Sequence, residues 1–413
     1  MTGALDEAQH GAVDAEGRLT CRKADFSLRA GAPYLNCAYM GPLPRVAEAA
    51  GVVALARKRH PTDIGAPDAF WESDGVRERF ARMIGAQDPG RVAIQPGVSY
   101  GVATAARNIS VAPGQNLVLT HEQFPGNVYA WRRLAAERGA EIRAVGAGDE
   151  AGSTVRPDKA GAPSRGELWN ERLLEAIDQS TAVVALPHVH WTDGTRFDLV
   201  EIGRRCREVG AALIVDGTQS IGALPFDARA IQPDAVICAS YKWLLGPYSV
   251  ALSYFGPRFD GGAPLEETWI AREGSHDFQR LVEYQDQYAP GAVRYDVAER
   301  SNFFLLPIAA ASLDLLLEWT PERVGAYCRE LTGGLIAEAL ELGFGVEEER
   351  WRASHIFGLR MPATVDLGDL RDRLAARDIA VSLRGTALRV SPNVYNDDED
   401  VAALLGVLRA ATA

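Results

Sequence analysis

The stretch AALIVDGTQSIGALPFDARAIQPDAVICASYKWLLGP, residues 211–247, decides the fold. It contains two short apolar runs, 211–215 and 235–239, and each stops abruptly at polar side chains. Near-continuous apolar runs of this length suit strands whose sheet is covered on both faces. The first run ends in Asp216-Gly217-Thr218-Gln219 and the second in Ser240-Tyr241-Lys242. The same pattern recurs further out in the chain. RVAIQ (91–95) precedes Gly97-Val98-Ser99, and TAVVALP (181–187) precedes His188-Val189-His190-Trp191. In open α/β sheets, ligands bind beyond the carboxyl ends of the strands. Four strand ends therefore offer polar groups to one crevice.

Runs at 116–120, 141–145 and 249–255 extend the series. Amphipathic segments at 127–138, 170–179 and 199–209 alternate with them, the last stopped by Gly210, which is the rhythm of a parallel sheet with crossover helices. Residues 146–166 are rich in Gly, Ala, Ser, Pro and charge and read as a surface loop. Beyond residue 305 the rhythm changes. Helices at 307–319, 321–342 and 367–377 and a final helix from Asp398 mix with strands at 343–347, 355–361, 380–382 and 387–391. The expected division is a large domain over 45–305 and a small one from 1–44 plus 306–413, with residues 33–44 crossing between them.

At 413 residues the chain is long enough for more than one core. It carries 43 basic and 55 acidic residues, a net charge of −12, which disfavours nucleic acid and anionic membrane as partners. The richest apolar segment, 308–319, is broken by Asp314, short of the roughly 18 residues a membrane span needs. The first 18 residues are acidic and have no apolar stretch, unlike a secretory signal. Five cysteines (Cys21, Cys37, Cys206, Cys238, Cys328) show no CxxC spacing and read as reduced thiols of a cytoplasmic protein. His188 and His190 lack a third ligand at a suitable spacing, so no metal is expected.

The motifs VDGTQSIGALPFD (215–227) and ASYKWLLGP (239–247) resemble the class V aminotransferase superfamily. That group includes cysteine desulfurases, kynureninases and isopenicillin-N-epimerase-like proteins. The likeness extends in order to SYGVATAARN (99–108), EQFPGNVYAW (122–131), RYDVAERSNF (294–303) and LRVSPNVYN (388–396). It implies the fold type I of pyridoxal-phosphate (PLP) enzymes: a large doubly wound, mainly parallel sheet domain plus a smaller α+β C-terminal domain. It also implies the cofactor itself, pyridoxal 5′-phosphate, and a small amino-acid substrate.

The resemblance assigns roles residue by residue. Lys242 forms the Schiff base with PLP; the bland alternative, a solvated lysine, fits poorly between AVICA and Trp-Leu-Leu. Asp216 holds the pyridine nitrogen protonated, although an aspartate there could also cap a turn. Gln219 reaches the phenolic oxygen. Val98 and Ser99, at a helix N-terminus, take the phosphate with Ser240 and Tyr241. Phe124 stacks on the ring, or is simply a core residue. His188 or His190 lies near the ring or substrate, and which one faces inward is undecided. Arg389 clamps the substrate carboxylate through a planar fork, with Arg384 a weaker competitor. Asn36 and Trp191 line the substrate pocket, together with loops around 34–40 and 269–272. Residues from Arg294 to Asn302 reach the partner's cofactor in a homodimer.

The expected reaction is Cα deprotonation followed by β-elimination from a cysteine-type or other β-substituted amino acid. Transamination and epimerisation on the same fold are the alternatives, and a PLP-fold binding protein without activity is a third. A desulfurase needs a nucleophilic cysteine upstream of the carboxylate-binding arginine, and none lies beyond Cys328. The loops beyond Phe124-Pro125 also depart from kynureninase.

Overall fold

The structure is a computed structural model describing residues 12–148 and 163–412. Seven strands form the main sheet: β1 (Val92–Gln95), β2 (Asn116–Thr120), β3 (Glu141–Val145), β4 (Thr181–Pro187), β5 (Ala212–Asp216), β6 (Ala235–Ala239) and β7 (Ala251–Phe255). Their order is β1-β7-β6-β5-β4-β2-β3. The run β6-β5-β4-β2-β3 is parallel, and β7 is antiparallel to both of its neighbours. The central strands bury every residue because each face of the sheet has its own core. Val184, Leu186, Leu213, Val215, Val236 and Cys238 join one cluster. Val183, Ala185, Ala212, Ile214, Ala235 and Ile237 join the other. Two-residue periodicity thus sends alternate side chains into two separate apolar layers.

The helices are α1 (Arg45–Arg57), α2 (Trp71–Met83), α3 (Val98–Asn108), α4 (Tyr129–Arg138), α5 (Arg165–Ala176), α6 (Leu199–Val209), α7 (Ala228–Ile231), α8 (Leu305–Trp319), α9 (Pro321–Glu341), α10 (Leu367–Ala376) and α11 (Asp398–Thr412). Gly210 ends α6 at φ 77° in the left-handed region. Among the described residues no helix is long and apolar enough to cross a membrane.

A second sheet, antiparallel throughout and ordered β8-β10-β9, is built from β8 (Phe357–Arg360), β9 (Ser382–Arg384) and β10 (Ala387–Val390). It packs with α9, α10 and α11 around a third core that includes Leu335, Leu359, Leu374, Leu388 and Leu404. Residues 33–44 run between the two sheets. Tyr34 and Asn36 bridge to Ala380 and Ser391, and the Gly41 amide donates to the Tyr241 carbonyl at 2.8 Å.

Several elements differ from expectation. The strand expected at 343–347 reduces to one bridge from Gly345 to Arg360, because the chain then turns into a 3-10 turn at Glu349–Trp351. The strand expected at 380–382 enters its ladder only at Ser382, since Ala380 is taken by Tyr34. Helix α5 begins five residues before the expected 170, capped by Ser164, and stops at Ala176, where the Asp178 carboxylate holds a turn through the Ser180 amide. The end of the expected 146–166 loop is therefore helical, and its stretch 149–162 lies outside the described residues. Strand β7 starts two residues after the expected 249, following Ser249 at φ 64°.

Candidate active site

At the carboxyl ends of β4, β5 and β6 lies a cavity of about 260 Å³ whose walls include Gly97, Val98, Ser99, Phe124, Trp191, Asp216, Gln219, Tyr241 and Lys242. Each reaches it by the end of a strand or the start of a helix. Asp216 is the last residue of β5, and Lys242 stands in the turn after β6. Ser99 sits in the first turn of α3, which has no side-chain cap, so its leading amides are free to take an anion.

Lys242 is 6 % exposed. Burial lowers its amine to about 8, against the pull of Asp216 and with help from the positive charge of Arg389. The Asp216 carboxyl is raised by the same burial, which outweighs its hydrogen bonds with Thr218 and the attraction of Lys242. It accepts the Thr218 amide at 3.0 Å and faces the cavity. Both groups are thus held toward their neutral forms. The Lys242 amine lies 5.2 Å from the centre of the Phe124 ring and 5.6 Å from that of Tyr241. Phe124 stands edge-on to Trp191 at 5.5 Å.

This lining fits the expected cofactor. An aldehyde finds an amine depleted of its proton, a pyridinium finds a buried carboxylate, a phosphate finds uncapped helix amides, and a flat ring finds Phe124. Gln219 lines the cavity and is braced on two sides. It donates to the Ala38 carbonyl at 3.1 Å and accepts from Trp243 Nε1 at 2.9 Å.

The backbone around the lysine is packed without room for a side chain. A Cβ on Gly41 would collide with the Lys242 carbonyl, and one on Gly222, at φ 106°, with the Trp243 carbonyl.

Several expected residues lie elsewhere. His188 and His190 both turn away from the cavity. After β4 the alternation presents Pro187, Val189 and Trp191 to it instead. His188 packs edge-on against Phe226, its Nδ1 has no partner, and burial with Arg196 and His355 nearby lowers it to about 3. His190 is fully buried, hydrogen-bonded to Thr192 at 2.7 Å and to the His121 carbonyl at 3.2 Å. Neither side chain is among those lining the cavity. Ser240 gives its hydroxyl to the Pro247 carbonyl and leaves the lining to Ala239 and Tyr241. Asn36 accepts the Ser382 hydroxyl at 2.8 Å and lines a neighbouring cavity instead. The loop around Trp269 and Arg272 lines a separate depression together with Tyr284 and Asp286.

Arg389 is 1 % exposed and is not among the residues lining the Lys242 cavity. It donates to the Trp191 carbonyl at 2.7 Å and to the Ser382 hydroxyl at 3.3 Å, while its Nε has no partner. Burial, reinforced by Arg384, lowers it to about 9. Among the described residues no carboxylate pairs with it, so a buried guanidinium stands ready for an anion. The segment from Arg294 to Asn302 is anchored within the chain. Asp296, with no exposure, binds Arg77 at 2.6 Å and Arg300 at 2.7 Å, and Asn302 accepts the Leu305 amide at 3.0 Å.

Thr218, one of the strand-end polar residues, also lines the cavity, as do Gln123, Tyr248 and Ser249, which the sequence reading did not single out. The Gly246-Pro247 pair is the one signal for the last two, since it marks a turn that delays the strand.

Residues 66–265 match the family described as aminotransferase class-V. The chain is 24% identical over 351 residues to the Bacillus subtilis (strain 168) protein named uncharacterized aminotransferase YcbU, covering 84% of this chain and 85% of that one. It is 26% identical over 392 residues to isopenicillin N epimerase of Streptomyces clavuligerus, covering 92% and 94%. Its fold matches a solved structure of a C-DES mutant with glycine covalently linked to the PLP cofactor. The TM-score is 0.79 at 19% identity, covering 94% of this chain and 99% of that one.

Proposed function

Because the chain belongs to the class V aminotransferase superfamily and is a PLP-dependent enzyme, we propose that it catalyses β-elimination from an α-amino acid with a leaving group on Cβ, such as a cysteine S-conjugate. When bound, PLP supplies an electron-withdrawing pyridinium that acidifies the Cα–H bond of the attached amino acid. In this reading Asp216 keeps the ring nitrogen protonated, and the α3 amides with Ser99 hold the phosphate. Phe124 covers the ring face, and Arg389 takes the α-carboxylate. Lys242, neutral once displaced, removes the Cα proton and can hand it to the departing group. The Cα–H and Cβ–X bonds break, and hydrolysis of the released enamine gives pyruvate and ammonium.

The observation that carries this reading is the cavity's single base. Among the described residues Lys242 is the one amine in the lining and Asp216 the one carboxylate. Tyr241, its hydroxyl raised by burial, stays protonated. One base suffices for elimination, whereas inverting Cα between two bases needs a second. A persulfide route finds no thiol among the described residues of the lining, and burial raises Cys37, beside the Lys242 carbonyl, to about 11.

The same reading takes residues 45–305 as the cofactor domain and 1–44 with 306–413 as the small domain. It takes the working form as a cytoplasmic homodimer with residues 294–302 near the partner's cofactor.

The test incubates holoenzyme with S-substituted cysteines, O-acetylserine and unsubstituted amino acids, assaying pyruvate, ammonium, the freed thiol and the enantiomer. Pyruvate with stoichiometric release of the β-substituent is expected. A 2-oxo acid or an inverted amino acid that keeps its β-substituent would replace elimination with transamination or epimerisation.

A further inference from the structure

Beyond Trp191 lies a second cavity, about 490 Å³, lined by Asn36, Tyr39, Ser382, Arg371 and Arg384 among others, and among the described residues no acidic one stands in its wall. In a chain of net charge −12 such a wall is unusual. Arg389 links the two walls, holding Ser382 of this cavity and Trp191 of the first. In the β9–β10 pair Arg389 faces Ser382 and Ala387 faces Arg384. Arg384 and Arg389 are therefore diagonal neighbours on one face of the sheet, a spacing of roughly 7–8 Å with the Cβ atoms somewhat closer. Trp191 touches both: Arg389 holds its carbonyl at 2.7 Å, and the Arg384 guanidinium lies 5.4 Å from its ring centre. That ring also forms part of the Lys242 cavity wall. Arg384 gives one N–H to the Leu383 carbonyl at 2.8 Å, and its buried Nε has no partner. Among the described residues neither guanidinium has a carboxylate partner.

Two unneutralised forks on one face, spaced by a sheet diagonal, suit a ligand with an anionic group at each end. We propose that the substrate is an amino acid whose side chain ends in a second anion, such as a carboxylate or sulfonate. Arg384 binds that distal group beside Trp191, and Arg371 stands at the rim. This rests on the reading that Arg389 takes the α-carboxylate.

The probes are glutarate and its isostere glutaramate, which is neutral at one end. Neither has an amino group, so neither can react. Calorimetry on the holoenzyme should show glutarate binding roughly ten- to a hundred-fold tighter, the range of a charge-assisted hydrogen bond. In Arg384→Gln the ratio of the two dissociation constants should collapse toward one. Equal affinities in the native enzyme would overturn the proposal, and so would an undiminished ratio in Arg384→Gln or a failure to bind either probe. A merely structural arginine would weaken both probes alike and keep their ratio. The ratio is blind to bond cleavage. A flat ratio beside released pyruvate therefore sinks only this subsite, and an intact ratio without pyruvate sinks only the elimination.

Discussion

The amine of Lys242 offers the sharpest test of the site, because its chemistry should differ from that of any exposed lysine. Burial brings it from the ordinary 10.5 to about 8. At pH 7 about one such amine in ten is unprotonated, against roughly one in three thousand for an ordinary lysine, a gain of about 300-fold in nucleophile. The chain has four lysines (Lys23, Lys58, Lys159 and Lys242), so peptide mass spectrometry resolves each one. Reductive methylation of the cofactor-free protein across pH 6 to 11, with Lys58 as internal reference, should give Lys242 an inflection near 8.

The same shift has a stability counterpart. The folded-state pKa lies below the unfolded one, so the unfolded chain binds the extra proton and stability rises with pH across the interval from about 8 to about 10.5. Below that window the cost is about 3 kcal/mol. Lys242→Met should therefore stabilise the cofactor-free protein by up to that amount at pH 7 and by little above pH 10.5. An inflection above 10, with no pH-dependent stabilisation in the variant, would refute the burial argument.

Two further outcomes follow from named contacts. Asp216→Asn should retain PLP but slow exchange of the substrate Cα hydrogen with deuterated solvent by roughly 10²–10³-fold, the usual effect of losing one preorganised charge; unchanged exchange would remove the carboxylate from the pyridinium. Asp296→Asn should leave buried Arg300 without a carboxylate and Arg77 with only Asp74 at 3.5 Å, and cost about 3–5 kcal/mol in urea unfolding. A loss below about 1 kcal/mol would mean that water already screens those charges.

Much of this was legible in the sequence. Strands β2, β4 and β6 coincide with their apolar runs because doubly covered strands are almost uniformly apolar, and the edge strand β3 coincides although it is only partly buried. Asp216 and Lys242 stand out as charges directly after such runs. The same uniformity hid the facing of side chains. A strand that alternates between two apolar cores carries no mark of which parity looks toward the ligand, so His188 and His190 were indistinguishable from Val189 until the sheet was assembled. Ser240 illustrates a second limit. Its hydroxyl is claimed by Pro247, a backbone partner seven residues on that no motif announces. Arg389 was readable as a cation among apolar neighbours, but its diagonal relation to Arg384 needed the β9–β10 register.

The two glycines packed against the lysine turn tie distant parts of the chain together. Gly41 belongs to the same crossing segment that pairs through Tyr34 and Asn36 with the small sheet, so that segment is a strut with one end on the small sheet and the other pressed on the Lys242 peptide. Gly222 packs in the same way on the next carbonyl, that of Trp243. A shift of the small sheet is therefore passed, at backbone level, to the peptide that carries the Lys242 amine.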